Sequence, residues 1–282
     1  MAFDHVRNGL FGVAFAALSL STLAPSASAA PITVPYTQNF DSAAVGTNLP
    51  ADFNESNANT AGGSSDSAIV PVSGSNNVLQ SNVSASGAAV SASTFASFQL
   101  VTGAIPTTTG NTFTFSSSFV LTTIPSTVSS DVSMIILASS STSTPSGYKL
   151  SFVTSGAGIT QVSIAELGTV SDFAPTPPAG AVGVNGVSNY TMSLTATYTS
   201  PTSVLLSGSV TNGISTSSIT AADTSAQAGT FFGLSTNAST TTSAIGSLVV
   251  QYDNVSLVPE PASFAAMAAA GCGFLSIRPR RP

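Results

Sequence analysis

A catalytic or metal centre needs side chains that titrate, coordinate or attack, and this chain holds few of them. Its only histidine is His5 and its only cysteine is Cys272, each close to a chain end. The long stretch between them therefore offers no Ser-His triad, no thiol nucleophile and no zinc site of the usual Cys and His kind. Carboxylates remain: Asp41, Asp52, Glu55, Asp66, Asp131, Glu166, Asp172, Asp223 and Asp253, nine against the single cation Lys149, a net charge of −8 over residues 30–258. Such a surface repels phosphate backbones, which excludes nucleic acid as a partner. Paired carboxylates do hydrolyse glycosides. Here Glu55 falls in a loop and Glu166 at a strand end, with no acidic residue at neighbouring spacing, so a glycoside hydrolase is a remote alternative and no enzyme is expected.

Asp253 stands out among these groups. In Val249-Val-Gln-Tyr-Asp253-Asn-Val-Ser-Leu257 a strict period of two puts it on one face with Val249, Gln251, Val255 and Leu257. If that face is the core, its charge needs a partner. A backbone N–H cap or Lys149 would serve. The Tyr-Asp-Asn-Val ending also resembles the last strand of jelly-roll modules in which such an aspartate helps hold a structural calcium ion. That resemblance implies a metal site of Asp253 and Asp41, completed by carbonyl oxygens.

The elements that position these groups read as strands. Ser and Thr number 85 of 282 residues, and they alternate with Val, Ile, Leu and Phe. The clearest case is Thr112 to Leu121, with Phe113, Phe115, Phe119 and Leu121 on one face and Thr112, Thr114, Ser116 and Ser118 on the other. Tyr190 to Tyr198 repeats the pattern. Val132 to Ala138 is apolar on both faces, which suits a central strand. Residues 54–67, 171–186 and the Ser/Thr-rich stretch after Val210 read as loops or crossings. About a dozen short strands with no internal helix predict one all-β domain over 30–258, an antiparallel two-sheet sandwich. Near its start, Phe40-Asp41-x4-Gly46-x3-Pro50 resembles the opening of concanavalin A-like (laminin-G-like) jelly rolls.

Both chain ends read as addresses. Residues 1–29 carry Arg7, an apolar core from Leu10 to Leu23 and an Ala27-Ser-Ala29 cleavage site, the pattern of a secretory signal peptide with its own short helix. Residues 259–282 open on Pro259-Glu260-Pro261, read as a turn. An apolar run of 14 residues from Phe264 to Ile277 follows, then Arg278, Arg280 and Arg281. This order resembles the PEP-CTERM sorting signal of exported bacterial proteins. The resemblance implies an apolar helix held transiently in the inner membrane, arginines on the cytoplasmic side, and cleavage near Pro-Glu-Pro by an exosortase-type membrane enzyme. The run is short for a span of roughly 20 residues.

Together these readings predict an exported, non-enzymatic protein of the cell surface or extracellular matrix, with exopolysaccharide as a partner and no cofactor, the structural calcium ion being an alternative that only the resemblance implies. The alternative is a lectin-like carbohydrate-binding module. Sugar rings stack on aromatics, but the chain has no tryptophan. Tyr190 and Tyr198 sit on an apolar strand face, which leaves Tyr36, Tyr148 and Tyr252 as candidates for exposure. The row Thr191, Ser193, Thr195, Thr197 invites an ice-binding reading, yet no neighbouring segment matches it at a constant period.

Overall fold

A computed structural model describes residues 31–260 apart from 47, 88, 126–128, 143–145, 156–157, 169–173, 177–180, 185–188 and 241–244. The signal segment 1–29 and the tail from Pro261 onward lie outside the described residues. No helix among the described residues is long and apolar enough to cross a membrane.

The strands are β1 (Tyr36–Gln38), β2 (Asn54–Asn59), β3 (Gly63–Ser73), β4 (Asn76–Ser86), β5 (Val90–Gln99), β6 (Thr112–Thr123), β7 (Ser129–Ala138) and β8 (Gly147–Ser155). There follow β9 (Gly158–Leu167), β10 (Ala174–Thr176), β11 (Ala181–Val182), β12 (Asn189–Ser200), β13 (Ser203–Thr211), β14 (Thr216–Asp223), β15 (Phe231–Thr240) and β16 (Ile245–Glu260). They form two sheets. The first runs β10-β14-β13-β12-β6-β16-β4-β3, with β1 also on β16; the second runs β11-β9-β8-β7-β15-β5-β2. Every strand-to-strand ladder is antiparallel. The architecture is the expected all-β sandwich of jelly-roll type.

Alternation builds the core between the sheets. Phe113, Phe115, Phe119 and Leu121 of β6 point inward beside Tyr190, Met192, Leu194, Ala196 and Tyr198 of β12, and all are buried. From the second sheet Phe98 and Phe232 meet them, with Phe98–Phe115 and Phe113–Phe232 edge to face at 5.7 Å. Each such ring contributes about 1.5–3 kcal/mol by leaving water. β7 is buried continuously from Val132 to Ala138, as its sequence requires, because its outer face carries a second small cluster of Phe95, Ile135 and Ala138. Phe95 lies over Gly233, where a Cβ would stand 2.7 Å from its ring.

Several sequence expectations are corrected. Residues 54–67, read as a loop, supply β2 and the start of β3; the stretch after Val210 supplies β14; and 171–186 contains β10 and β11. These strands are rich in Ser, Asn, Ala and Gly, and tertiary pairing overrides their weak propensity. Pro259-Glu260 is not a turn: β16 continues through both, opposite Phe113 and Thr112, and Thr114 donates to Glu260 Oε1 at 2.9 Å. Proline is tolerated there because the residue lies at a strand end.

The outer face of the first sheet also departs from expectation. The row Thr191–Thr197 has matching neighbours once the registers are known. Thr114 faces Thr195 at 2.8 Å, Thr112 faces Thr197 at 3.0 Å and Ser193 faces Ser209 at 2.8 Å. On β14, Thr216, Ser218 and Thr220 extend the same rows outward and are exposed.

Candidate functional site

The candidate site forms where β16 changes partner. Its first half pairs with β4 as far as Tyr252↔Leu79; from Val255↔Gln38 its neighbour is β1. At the changeover the register against β6 shifts between Asp253 and Ser256, and Asn254 adopts φ 52°. This is a β-bulge, with the left-handed residue drawn from the types that tolerate it. The extra residue changes the phase of alternation. Leu248, Val250 and Tyr252 are buried before it, Val255 and Leu257 after it.

Asp253 therefore stays half-buried on the outer face with Val249 and Gln251, rather than sharing a face with Val255 and Leu257. Its Oδ1 accepts the Asn254 N–H at 2.7 Å. Its carbonyl accepts the hydroxyls of Ser117 and Ser118 at 3.0 Å each, and Asn254 Nδ2 donates to Ser118 Oγ at 3.2 Å. Burial holds the Asp253 carboxyl above the ordinary aspartate range, offset by the Asn254 N–H and reinforced by the charge of Asp41. Lys149, the alternative partner, pairs instead with Asp131 at 2.9 Å on the other sheet.

Asp41 reaches the same region from the first loop. Phe40 is buried with φ 61°, and this left-handed residue turns the next one outward. Asp41 accepts Asn39 Nδ2 at 2.9 Å and the Asn77 N–H at 3.3 Å, which ties the loop to the start of β4.

Beside the bulge lies a cleft of about 280 Å³. Asp253, Asn254, Gln251, Ser118, Asn76 and Asn189 converge on it, with Val72, Val78 and Val120 as apolar wall. A second cleft of about 390 Å³, lined by Thr37, Gln38, Asn39, Asn254, Val255 and Ser256, opens on the other side of Asn254. Carboxamides and a carboxylate beside an apolar wall are suited to pairing with vicinal hydroxyls while covering C–H groups.

Calcium fits this arrangement poorly. The ion takes six to eight oxygens. Here both oxygens of Asp41 and one of Asp253 accept protein N–H groups, and the Asp253 carbonyl is taken by two hydroxyls. No group of three or more His, Cys, Asp or Glu side chains placed to hold a metal occurs among the described residues.

A second carboxylate cluster escaped the sequence reading because its members come from distant strands. Glu166 of β9 and Asp223 of β14 are 8% and 1% exposed. Tyr148 donates to Asp223 and Gln227 Nε2 to Glu166, while the Gln227 N–H reaches the Tyr148 hydroxyl at 2.9 Å and the Ser225 N–H reaches Asp223 at 2.7 Å. Neither carboxylate lines the clefts beside Asn254. The network ties the two sheets together.

The tyrosines left as candidates for exposure are inside. Tyr148 and Tyr252 are buried, and Tyr36 is half-buried with its hydroxyl on Asp52. The exposed large apolar side chains among the described residues are all aliphatic: Val45, Val72, Val101, Leu205, Ile214 and Val258.

No family model matches the chain, and no curated protein matches its sequence. Among solved structures it is similar to lectin I-B4 from Griffonia simplicifolia in its metal-free form, at 11% identity and a TM-score of 0.43, covering 81% of this chain and 100% of the lectin. It is also similar to lectin II from Ulex europaeus, at 13% identity, a TM-score of 0.39 and 80% and 98% coverage. A third is the lectin from Bauhinia forficata in complex with GalNAc, at 10% identity, a TM-score of 0.32 and 78% and 99% coverage.

Proposed function

We propose that this protein is a non-enzymatic carbohydrate-binding module that works outside the cell, with an uncharged glycan as its ligand. The observation that carries the reading is the cleft at the Asp253–Asn254 bulge, where polar side chains from β4, β6, β12 and β16 converge on one concave space beside valines. A half-buried carboxylate with amides on either side pairs bidentately with adjacent sugar hydroxyls, and the aliphatic wall receives the ring's C–H face. An anionic glycan is disfavoured by Asp253 itself and by the net charge of −8 over residues 30–258. The test is a glycan array followed by calorimetry on purified protein. Binding to neutral glycans that is lost in Asp253→Ala and weakened in Asn76→Ala supports the reading; an array with no neutral ligand sinks it.

The delivery route belongs to the same proposal. The signal segment, Pro259-Glu260-Pro261 and the arginines at 278, 280 and 281 support export, transient inner-membrane anchoring and release by an exosortase-type enzyme, leaving the sandwich at the cell surface or in an exopolysaccharide matrix. Intact mass of the protein recovered from its native host tests this. A species still ending at Pro282 would overturn it.

A further inference from the structure

At the opposite end of β12 from Asn189, the sandwich holds a different cleft. It measures about 300 Å³ and lies between the end of β5, the segment 101–107, the end of β7 and the segment 228–230. Leu100, Val101, Ala104, Ile105, Leu137 and Ala228 line it, with backbone from both segments and no charged side chain. Three local features make the space. Leu137 has φ 52° at a register shift between β15 and β7, so this bulge turns its side chain toward the inter-sheet core rather than the outer face. Gly229 lets its segment lie directly on β7, since a Cβ there would stand 2.0 Å from the Ala138 carbonyl. The N–H of Ala104 closes a turn on the Val101 carbonyl at 3.0 Å, folding the segment over the opening.

Tyr198 supplies the polar feature. Tyr198 is 1% exposed and is among the residues lining this cleft, and its hydroxyl has no hydrogen-bond partner within the protein. The other buried tyrosine hydroxyls with assigned bonds are satisfied internally, Tyr148 by Asp223 and Gln227, Tyr252 by Thr236 and the Ser235 carbonyl. A buried hydroxyl left without a partner is a cost to the fold, and a ligand oxygen in the cleft would remove that cost. Burial raises the Tyr198 pKa, so the phenol is neutral and both donates and accepts.

We propose that this cleft is a binding site for a compact, uncharged, largely apolar molecule bearing one hydrogen-bonding oxygen, with Tyr198 as the polar contact. A charged ligand would lose its water without gaining a counter-charge. The volume sits at the low end of small-molecule pockets, which run from roughly 300 to 1,000 Å³. The site is independent of the glycan cleft, and either stands if the other fails.

The test uses full-length, methyl-labelled protein titrated with cyclohexanol and with methylcyclohexane, read from the methyl resonances of Ala104, Ile105 and Leu137. Both probes shift these resonances. In Tyr198→Phe, cyclohexanol weakens about three- to tenfold, the size of one net hydrogen bond, and methylcyclohexane is unchanged. Ala104→Phe, at the segment over the opening, removes both. The proposal is overturned if neither probe shifts these methyls, if Tyr198→Phe leaves cyclohexanol binding unchanged, or if it weakens both probes equally. Should Tyr198→Phe fail to fold, binding of both probes that survives Ala104→Phe overturns it as well.

Discussion

Tyr148 of β8 donates a hydrogen bond from its hydroxyl to the carboxylate of Asp223 on β14, joining the two sheets across 75 residues of sequence. The same oxygen accepts the Gln227 N–H, so one phenol serves a buried carboxyl and a backbone donor. Removing the hydroxyl takes the acceptor from the Gln227 N–H and one donor from Asp223, which keeps the Ser225 N–H. Tyr148→Phe is expected to cost about 1–3 kcal/mol, because a buried donor and a buried acceptor each lose a partner. Urea unfolding of the variant against wild type measures it, and a change under about 0.5 kcal/mol would show the network to be dispensable.

Two carboxyls give a defined pH dependence. Asp253 and Glu55 both have raised folded-state pKa values, with burial as the main cause. A raised carboxyl binds its proton more tightly when folded, so its stabilisation is present at low pH and is lost as pH rises through the folded pKa. The window begins at the unfolded values of roughly 4 and runs upward. The double variant Asp253→Asn/Glu55→Gln is therefore expected to gain stability over wild type as pH rises through that window. Thermal melts from pH 3 to 7 test this; a difference that shrinks with rising pH contradicts it.

The bulge at Asn254 sets both the phase of β16 and the shape of the cleft beside it. Asn254→Gly keeps the left-handed backbone and should be nearly neutral in stability. Asn254→Val places a branched side chain at φ 52° and should cost about 1–3 kcal/mol. It should also abolish glycan binding. Equal melting temperatures for the two variants would show that the bulge does not constrain the strand.

Three of the four carboxylate oxygens of Asp41 and Asp253 already accept protein N–H groups, so adding calcium or EDTA is expected to leave the melting temperature unchanged. A calcium-dependent rise of several degrees, lost in Asp41→Ala, would restore the metal reading.

The hydroxyl rows of β6, β12, β13 and β14 are in register, yet adjacent strands in such a sheet twist by about 20–25°. The rows therefore leave a common plane within a few strands and cannot match a flat ice lattice. No thermal hysteresis is expected from the purified protein, and a clear hysteresis gap in osmometry would reverse this.

Much of the fold was legible because alternation is a local property. Phe113, Phe115, Phe119 and Leu121 declare which face of β6 is buried without reference to any partner, and β12 and β7 announce themselves in the same way. The missing histidine and cysteine of the central stretch, and its negative charge, likewise follow from residue types alone. Other features depended on pairing. A strict period of two puts Asp253 on the face of Val255 and Leu257, but the alternation passes through a bulge that exists only where β16 exchanges β4 for β1. The Asp-Asn pair was the available signal, since Asn is among the few residues at ease in the left-handed region. β2, β10, β11 and β14 have too little apolar pattern to predict, and they form because a neighbouring edge offers hydrogen bonds. Glu166, Tyr148, Asp223 and Gln227 meet only after the β8–β9 pair of one sheet is laid against the end of β14 and the segment after it. Leu137 turns toward Tyr198 only because β15 pairs with β7 out of step. Sequence determines what each residue prefers to face, whereas register and bulges, decided by the whole sheet, determine what it meets.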